Sequence, residues 1–252
     1  MENPIGPLRA SVDRLHTLAG GLNDTQLVSP SYCDDWSIAQ VLSHLGSGAV
    51  ISRRALQDVM AGTPTPDDFN QSVWDEWNAK SPRAQADDAL VADEALIQAL
   101  EAVDEAERAR LTFSLGPLRL GFNDMFSLRL NEHVLHSWDI AVMLDDAAHL
   151  PGDATALVVD NLSLMARFSG RPDGEDRIIA VRTTDPGRDV ALRLSADGVE
   201  LGPGEPGLAP DLELPAEALC RLVYGRLDPD HTPAFTGDGE LLDSLRAVFP
   251  GP

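Results

Sequence analysis

Arg129-Leu-Asn-Glu132-His133-Val-Leu-His136-Ser-Trp138-Asp139 decides how the chain is read. It lies inside an apolar run from about Phe122 to Leu144, in which Met125, Phe126, Leu128, Leu130, Val134, Leu135, Trp138 and Val142 recur at helical spacing. On a helix, Glu132 and His136 fall on one face, one turn apart. A carboxylate oxygen and an imidazole nitrogen aimed at one point make a usable pair of metal ligands. Asp139 falls on nearly the same line.

A third donor has to come from elsewhere. Of the six histidines, His44, His133 and His136 lie in the best-marked helical patterns. His44 sits beside Leu45 in a run with one apolar face, Ile38, Val41, Leu42, Leu45 and Ala49. Ser37 and Gln40 open that run as a capping box, and Gly62-Thr-Pro-Thr-Pro66 closes it. His44, Glu132 and His136 therefore form a candidate set for one divalent metal between two helices of a bundle. Three protein ligands leave a position for water or substrate, the pattern of catalytic zinc. The bland alternative makes His44 and His136 hydrogen-bonded core histidines and pairs Glu132 with Arg129. Spacing alone leaves both open. His133 is rotated by about 100° from Glu132 and does not easily join it. The string is not HExxH, so a metalloprotease has no support. Trp36, Trp138, Met125 and Phe126 read as core, His16 reads as surface, and no feature of the sequence lowers the pKa of Cys33.

Outward from these stretches, the pattern predicts a first helix through Leu8, Val12, Leu15 and Leu18, and one further turn at Asp24–Leu27. An aromatic helix follows within Asp67–Lys80, then a long one from Ser81-Pro82 to near Arg110. Thr112–Leu120 is a hairpin or an extended connection, and Asp153–Phe168 one more helix. After the linker signal Gly170-Arg-Pro-Asp-Gly174 the texture alternates: strands at Ile178–Thr184, Val190–Ser195 and Val199–Leu201, a turn at Asp197-Gly198, and helices at Pro215–Tyr224 and Gly239–Phe249. Residues 1–170 thus read as a helical bundle and residues 175–252 as a small α+β domain.

Totals bound the function. The 252 residues suit two domains, and 43% hydrophobic with 24% charged residues is ordinary for a globular chain. A formal charge of −22 argues against nucleic-acid binding, which needs clustered cations. Of nineteen basic residues only Lys80 is a lysine. No apolar run approaches the roughly 20 residues of a membrane span, and the N-terminus lacks a signal-peptide pattern, so the expected location is the cytoplasm. Cys33 and Cys220 are expected there as reduced thiols.

Cys33-x-x-Trp36-Ser37 followed by His44-Leu45, and Glu132-x-x-x-His136-x-x-Asp139, resemble the mycothiol-dependent maleylpyruvate isomerase family. Leu219-Cys-Arg221-Leu-Val-Tyr224-Gly225-Arg226, then Gly237-Asp238 and Leu241-Leu242, resemble its C-terminal part. The resemblance implies a DinB-like four-helix bundle followed by a sterol-carrier-like α+β domain. It implies His44, Glu132 and His136 as ligands, usually of zinc, mycothiol as the thiol co-substrate, and an arginine holding substrate, for which Arg226 is the candidate. Asp35 stands where relatives commonly have glycine. The activity implied is a metal-dependent thiol enzyme, an isomerase or S-transferase, whose partners are a small electrophile and a low-molecular-weight thiol. The alternative is a non-catalytic small-molecule or lipid-binding or sensor protein.

Overall fold

The computed structural model describes residues 2–251. They form two compact units, one ending at Ala148 and the other beginning at His149.

The first unit contains α1 (Ile5–Gly20), α2 (Asp24–Leu27), α3 (Ile38–Ala61), α4 (Phe69–Asn78), α5 (Pro82–Glu101), α6 (Glu105–Arg108), β1 (Thr112–Leu115), β2 (Leu118–Gly121) and α7 (Phe122–Ala141). Its boundaries follow local chemistry. Ser37 accepts the Gln40 N–H while the Gln40 side chain accepts the Ser37 N–H, the reciprocal pair that starts α3. Ser81 caps α5, with Pro82 at its first position. That helix ends at Glu101 rather than near Arg110, because Asp104 accepts the Glu107 N–H and starts a separate turn, α6. Residues 112–121 form a hairpin, with Thr112 opposite Gly121.

Four long helices close a ring: α3 packs on α5, α5 on α1, α1 on α7 and α7 on α3. Leu8, Leu15, Leu42, Leu45, Ile97 and Leu130 fill its interior at 1% exposure or less. Each such side chain contributes about 1.5–3 kcal/mol by leaving water. The α3–α5 approach needs glycine at 46, since a Cβ there would lie 2.7 Å from the Ala89 Cα and collide with the Trp77 ring.

A polar cluster crosses this interior. Asp93 on α5 accepts from Arg129 Nη2 (2.9 Å) and lies 3.3 Å from His133 Nε2, both on α7. The same Arg129 nitrogen donates to the Leu45 carbonyl of α3 at 2.7 Å. His133 Nδ1 meets Ser11 Oγ of α1 at 2.8 Å. Burial pushes the Asp93 carboxyl up, but His133 and Arg129 outweigh it and hold it below the usual carboxylate range.

The second unit contains α8 (Gly152–Asp160), α9 (Leu162–Ser169), β3 (Arg177–Thr184), β4 (Arg188–Ser195), β5 (Gly198–Pro203), β6 (Leu212–Pro215), α10 (Ala216–Val223), β7 (Thr236–Gly237) and α11 (Gly239–Val248). The sheet order is β5-β4-β3-β6-β7. β3 runs antiparallel to β4 and parallel to β6. Ile179, Val181, Leu192 and Leu194 are buried, as the alternation predicts. Two expectations change here. The helix expected over Asp153–Phe168 breaks at Asn161, because α8 packs on α10 while α9 packs on β5. Those contacts also place both helices in the second unit, so the division falls after Ala148 and not near residues 170–175. The Gly170–Gly174 signal is a turn within that unit, tied down by Arg171 N–H donating to the Val248 carbonyl at 2.8 Å. No helix among the described residues is long and apolar enough to cross a membrane.

Asp93 generates a test. Asp93→Asn leaves Arg129 facing no buried charge and is expected to cost about 3–5 kcal/mol, read as a lower urea midpoint. Because the folded-state carboxyl lies below its ordinary value near 4, its contribution is complete above that pH and is lost as pH falls through it. Wild type should therefore lose stability below about pH 4 more steeply than the variant.

Candidate metal centre

α7 presents Glu132 and His136 one turn apart, and α3 brings His44 opposite them. His44 Nε2 lies 3.3 Å from Glu132 Oε2, and His136 Nε2 lies 3.6 Å from the same oxygen. The two imidazole centroids are 4.6 Å apart. One donor atom from each residue falls within 4.8 Å of the other two. Side-chain exposure runs from 37% at His44 and 42% at Glu132 to 12% at His136, so the group opens outward on the first two.

The loop before α3 supplies the neighbours. Ser31 N–H and Oγ both donate to the Trp36 carbonyl at 2.9 Å, Trp36 N–H returns to the Cys33 carbonyl, and Tyr32 N–H reaches the Asp139 carbonyl of α7. This folded loop holds the Trp36 ring 5.3 Å from His44 and 6.2 Å from His136, nearly parallel to the latter. It also sets Cys33 Sγ 3.0 Å from Asp139 Oδ2. The same Asp139 oxygen lies 2.8 Å from His136 Nδ1.

Burial pulls the His136 imidazole down, but hydrogen bonds to Asp139, Cys33 and Glu132 outweigh it and raise it to about 10. Burial would likewise raise the Glu132 carboxyl. His136 and His44 overcome that and hold it well below the usual carboxylate range.

Two donor triads share His136: His44–Glu132–His136 on its Nε2 side, and Cys33–His136–Asp139 on its Nδ1 side. Spacing separates their roles. With metal–nitrogen and metal–oxygen bonds of about 2.0–2.1 Å, neighbouring donors on a tetrahedron stand roughly 3.3–3.4 Å apart. In the first triad the two nitrogen–oxygen separations, 3.3 and 3.6 Å, are close to that spacing, and all three donors lie within 4.8 Å of one another. In the second, Asp139 stands at hydrogen-bond lengths of 2.8 and 3.0 Å from its neighbours, too close to be co-ligands as placed. The residues of the first triad fit a divalent ion.

The structure brings together all three residues that the sequence nominated as ligands, and it denies Glu132 the Arg129 partner of the bland alternative: Arg129 is spent on Asp93 and Leu45. His133 is a core histidine. Ser11, His133 and Asp93 line up as a hydroxyl–imidazole–carboxylate chain, but all are sealed from solvent, so no substrate reaches that serine. His16, expected at the surface, is half-buried and meets the Leu90 carbonyl. Trp36, expected in the core, is 37% exposed beside the site. Arg226 belongs to the second unit. It is 5% exposed, not a surface arginine, and its Nη1 donates to the Tyr224 carbonyl at 2.8 Å. The link from Cys33 through Asp139 to His136 was missed, since nothing in sequence spacing shows that a loop closes on a helix a hundred residues later.

A ring of helices carrying a His–Glu–His centre, followed by a separate α+β unit, defines the class. Residues 8–141 match the family model of the mycothiol maleylpyruvate isomerase N-terminal domain. Crystal structures of the mycothiol-dependent maleylpyruvate isomerase and of a point mutant of it superimpose with a TM-score of 0.63, covering 88% of this chain and 88% of theirs at 12% identity. No curated protein sequence matches. The chain belongs to the mycothiol maleylpyruvate isomerase family.

The loop offers a test of its own. Asp35 is held at φ 64°, the left-handed region, one residue before Trp36. That conformation costs a side-chain-bearing residue about 1–2 kcal/mol, of which glycine's greater unfolded entropy takes back about 0.5–1. Asp35→Gly should therefore stabilise the protein by about 0.5–1 kcal/mol in urea melts, while Asp35→Ala should not. A loss of stability in the glycine variant would count against a strained turn.

Proposed function

We propose that the protein is a metal- and thiol-dependent enzyme, in which His44, Glu132 and His136 hold one divalent ion, zinc by donor type, and mycothiol is the thiol. One observation carries this: three donor atoms from two helices converge at ligand spacing in a member of this family. When bound, the ion supplies a centre that keeps a coordinated thiol deprotonated at neutral pH, a nucleophile for a small conjugated electrophile that is either isomerised or retained as a thioether.

The residues do the rest. His44 and His136 would bind through imidazole nitrogens with loss of any proton there, and the single charge of Glu132 would leave the bound divalent ion net positive, attracting a thiolate in a chain of charge −22. Trp36 stands against one side of the imidazoles. Arg226 is the substrate arginine that the resemblance implies; it is buried in the second unit and donates to the Tyr224 carbonyl, so a role with substrate requires that it leave that bond. Its planar fork suits a carboxylate gripped through two hydrogen bonds. The setting is a reducing cytoplasm, where such a thiol pool persists; neither cysteine forms a disulfide.

Elemental analysis should find about one zinc per chain in wild type and a small fraction of that in His44→Ala. With mycothiol and maleylpyruvate, or with a panel of conjugated carboxylates, His44→Ala should lose about 100-fold or more in kcat/KM, on the order of 2.7 kcal/mol. Equal, negligible metal in both proteins would remove the site. Wild type that binds zinc yet turns over no electrophile with any thiol would favour the non-catalytic binding protein. Arg226→Lys keeps the charge and loses the fork, and should lower kcat/KM for an anionic electrophile by roughly 10-fold at unchanged zinc content. Unchanged kinetics would take Arg226 out of the mechanism.

A further inference from the structure

The Nδ1 side of His136 remains to be assigned. An imidazole binds a metal through one nitrogen only if that nitrogen is bare, and the hydrogen bond made by the other nitrogen decides which one is bare. At His136 that bond goes to Asp139 Oδ2, 2.8 Å from Nδ1. The Asp139 side chain is fully buried. It is fixed from a second direction by the Cys33 thiol, which donates to the same oxygen at 3.0 Å, and its backbone carbonyl takes the Tyr32 N–H at 3.0 Å. Loop and helix are thus locked together at Asp139, which faces Nδ1 at 2.8 Å, with the Cys33 sulfur farther off at 3.8 Å. Asp139 Oδ2, at hydrogen-bond length from both Nδ1 and the thiol, is well placed to hold a proton on Nδ1.

We infer that Asp139 is a positioning residue for the metal centre: it keeps the proton of His136 on Nδ1, turns the bare Nε2 toward Glu132 and His44, and fixes the ring plane, with the Cys33 thiol holding the carboxylate in place. This inference rests on the metal reading above and assigns a role outside the three ligands. Asp139→Asn is close to isosteric, but its amide competes as a donor and weakens the preference for the Nδ1–H tautomer. Removing such an outer partner typically costs 10–100-fold in metal affinity.

The test is zinc affinity by competition with a chromophoric chelator, on wild type, Asp139→Asn and Ser11→Ala, together with the thermal midpoint of each metal-free protein. Asp139→Asn should bind zinc 10–100-fold more weakly. Ser11→Ala perturbs the helix core without touching His136 and should stay within about twofold of wild type, which a general loosening of the bundle would not allow. A second measurement needs no variant: long-range proton–nitrogen NMR of zinc-loaded wild type should show His136 protonated at Nδ1 and metal-bound at Nε2. Wild type that binds zinc while Asp139→Asn binds it within twofold, or a His136 bound through Nδ1, overturns the role of Asp139 alone. Wild type that binds no zinc overturns the metal reading, and this inference with it.

Discussion

Asp93 carries a carboxylate into the middle of the first unit, and the helices around it are arranged to meet it. Arg129 and His133 approach it from α7, Arg129 reaches on to the Leu45 carbonyl of α3, and His133 reaches on to Ser11 of α1. One connected cluster therefore touches all four long helices. A buried ion pair is weak evidence for net stability, because desolvation offsets much of the attraction. Its effect is on register. Apolar side chains tolerate a slide of an ångström or two, but a guanidinium at 2.7–2.9 Å from two acceptors does not. Gly48 belongs to this constraint: a Cβ there would sit 2.8 Å from Arg129 Nη1.

The candidate centre borrows that register. Leu45, which takes the Arg129 hydrogen bond, is the neighbour of His44, and His133, which faces Asp93, is the neighbour of Glu132. Fixing the first residue of each pair fixes the second on the adjoining face of the same helix. α7 thus uses two adjacent faces for two purposes. Arg129 and His133 turn inward to a sealed charge, while Glu132 and His136 turn toward α3, Glu132 opening to solvent. The two carboxylates at the centre differ for the same geometric reason. Glu132 is 42% exposed between two imidazoles, whereas Asp139 is fully buried against a thiol and an imidazole nitrogen.

Much of the first unit was legible from local signals. The capping box at Ser37 and Gln40, the proline start of α5 and the glycine stop of α1 all act within a few residues of backbone, so they leave a mark in the sequence. Glu132 and His136 were legible as a pair because helix geometry converts a spacing of four into a shared face. Other features were not. The end of α5 depended on whether Asp104 would cap a new turn or ride a continuing helix, and both fit the same letters. The break at Asn161 follows from α8 and α9 packing on different partners, which no periodicity of their own encodes.

The sequence by itself determined the alternation of helices and strands, the ligand types available, the balance of charge, and the family to which the motifs point. Each of these rests on covalent spacing or composition, which folding does not alter. Only the tertiary structure decided that His44 stands 3.3 Å from a carboxylate 88 residues away, that Arg129 serves Asp93 rather than Glu132, that Trp36 stands at the site rather than in the core, and that Cys33 and Asp139 close behind His136. Those outcomes depend on which helix faces pack together. Packing is settled by many weak apolar contacts and a few buried polar ones acting at once, with no single residue spacing to carry the information.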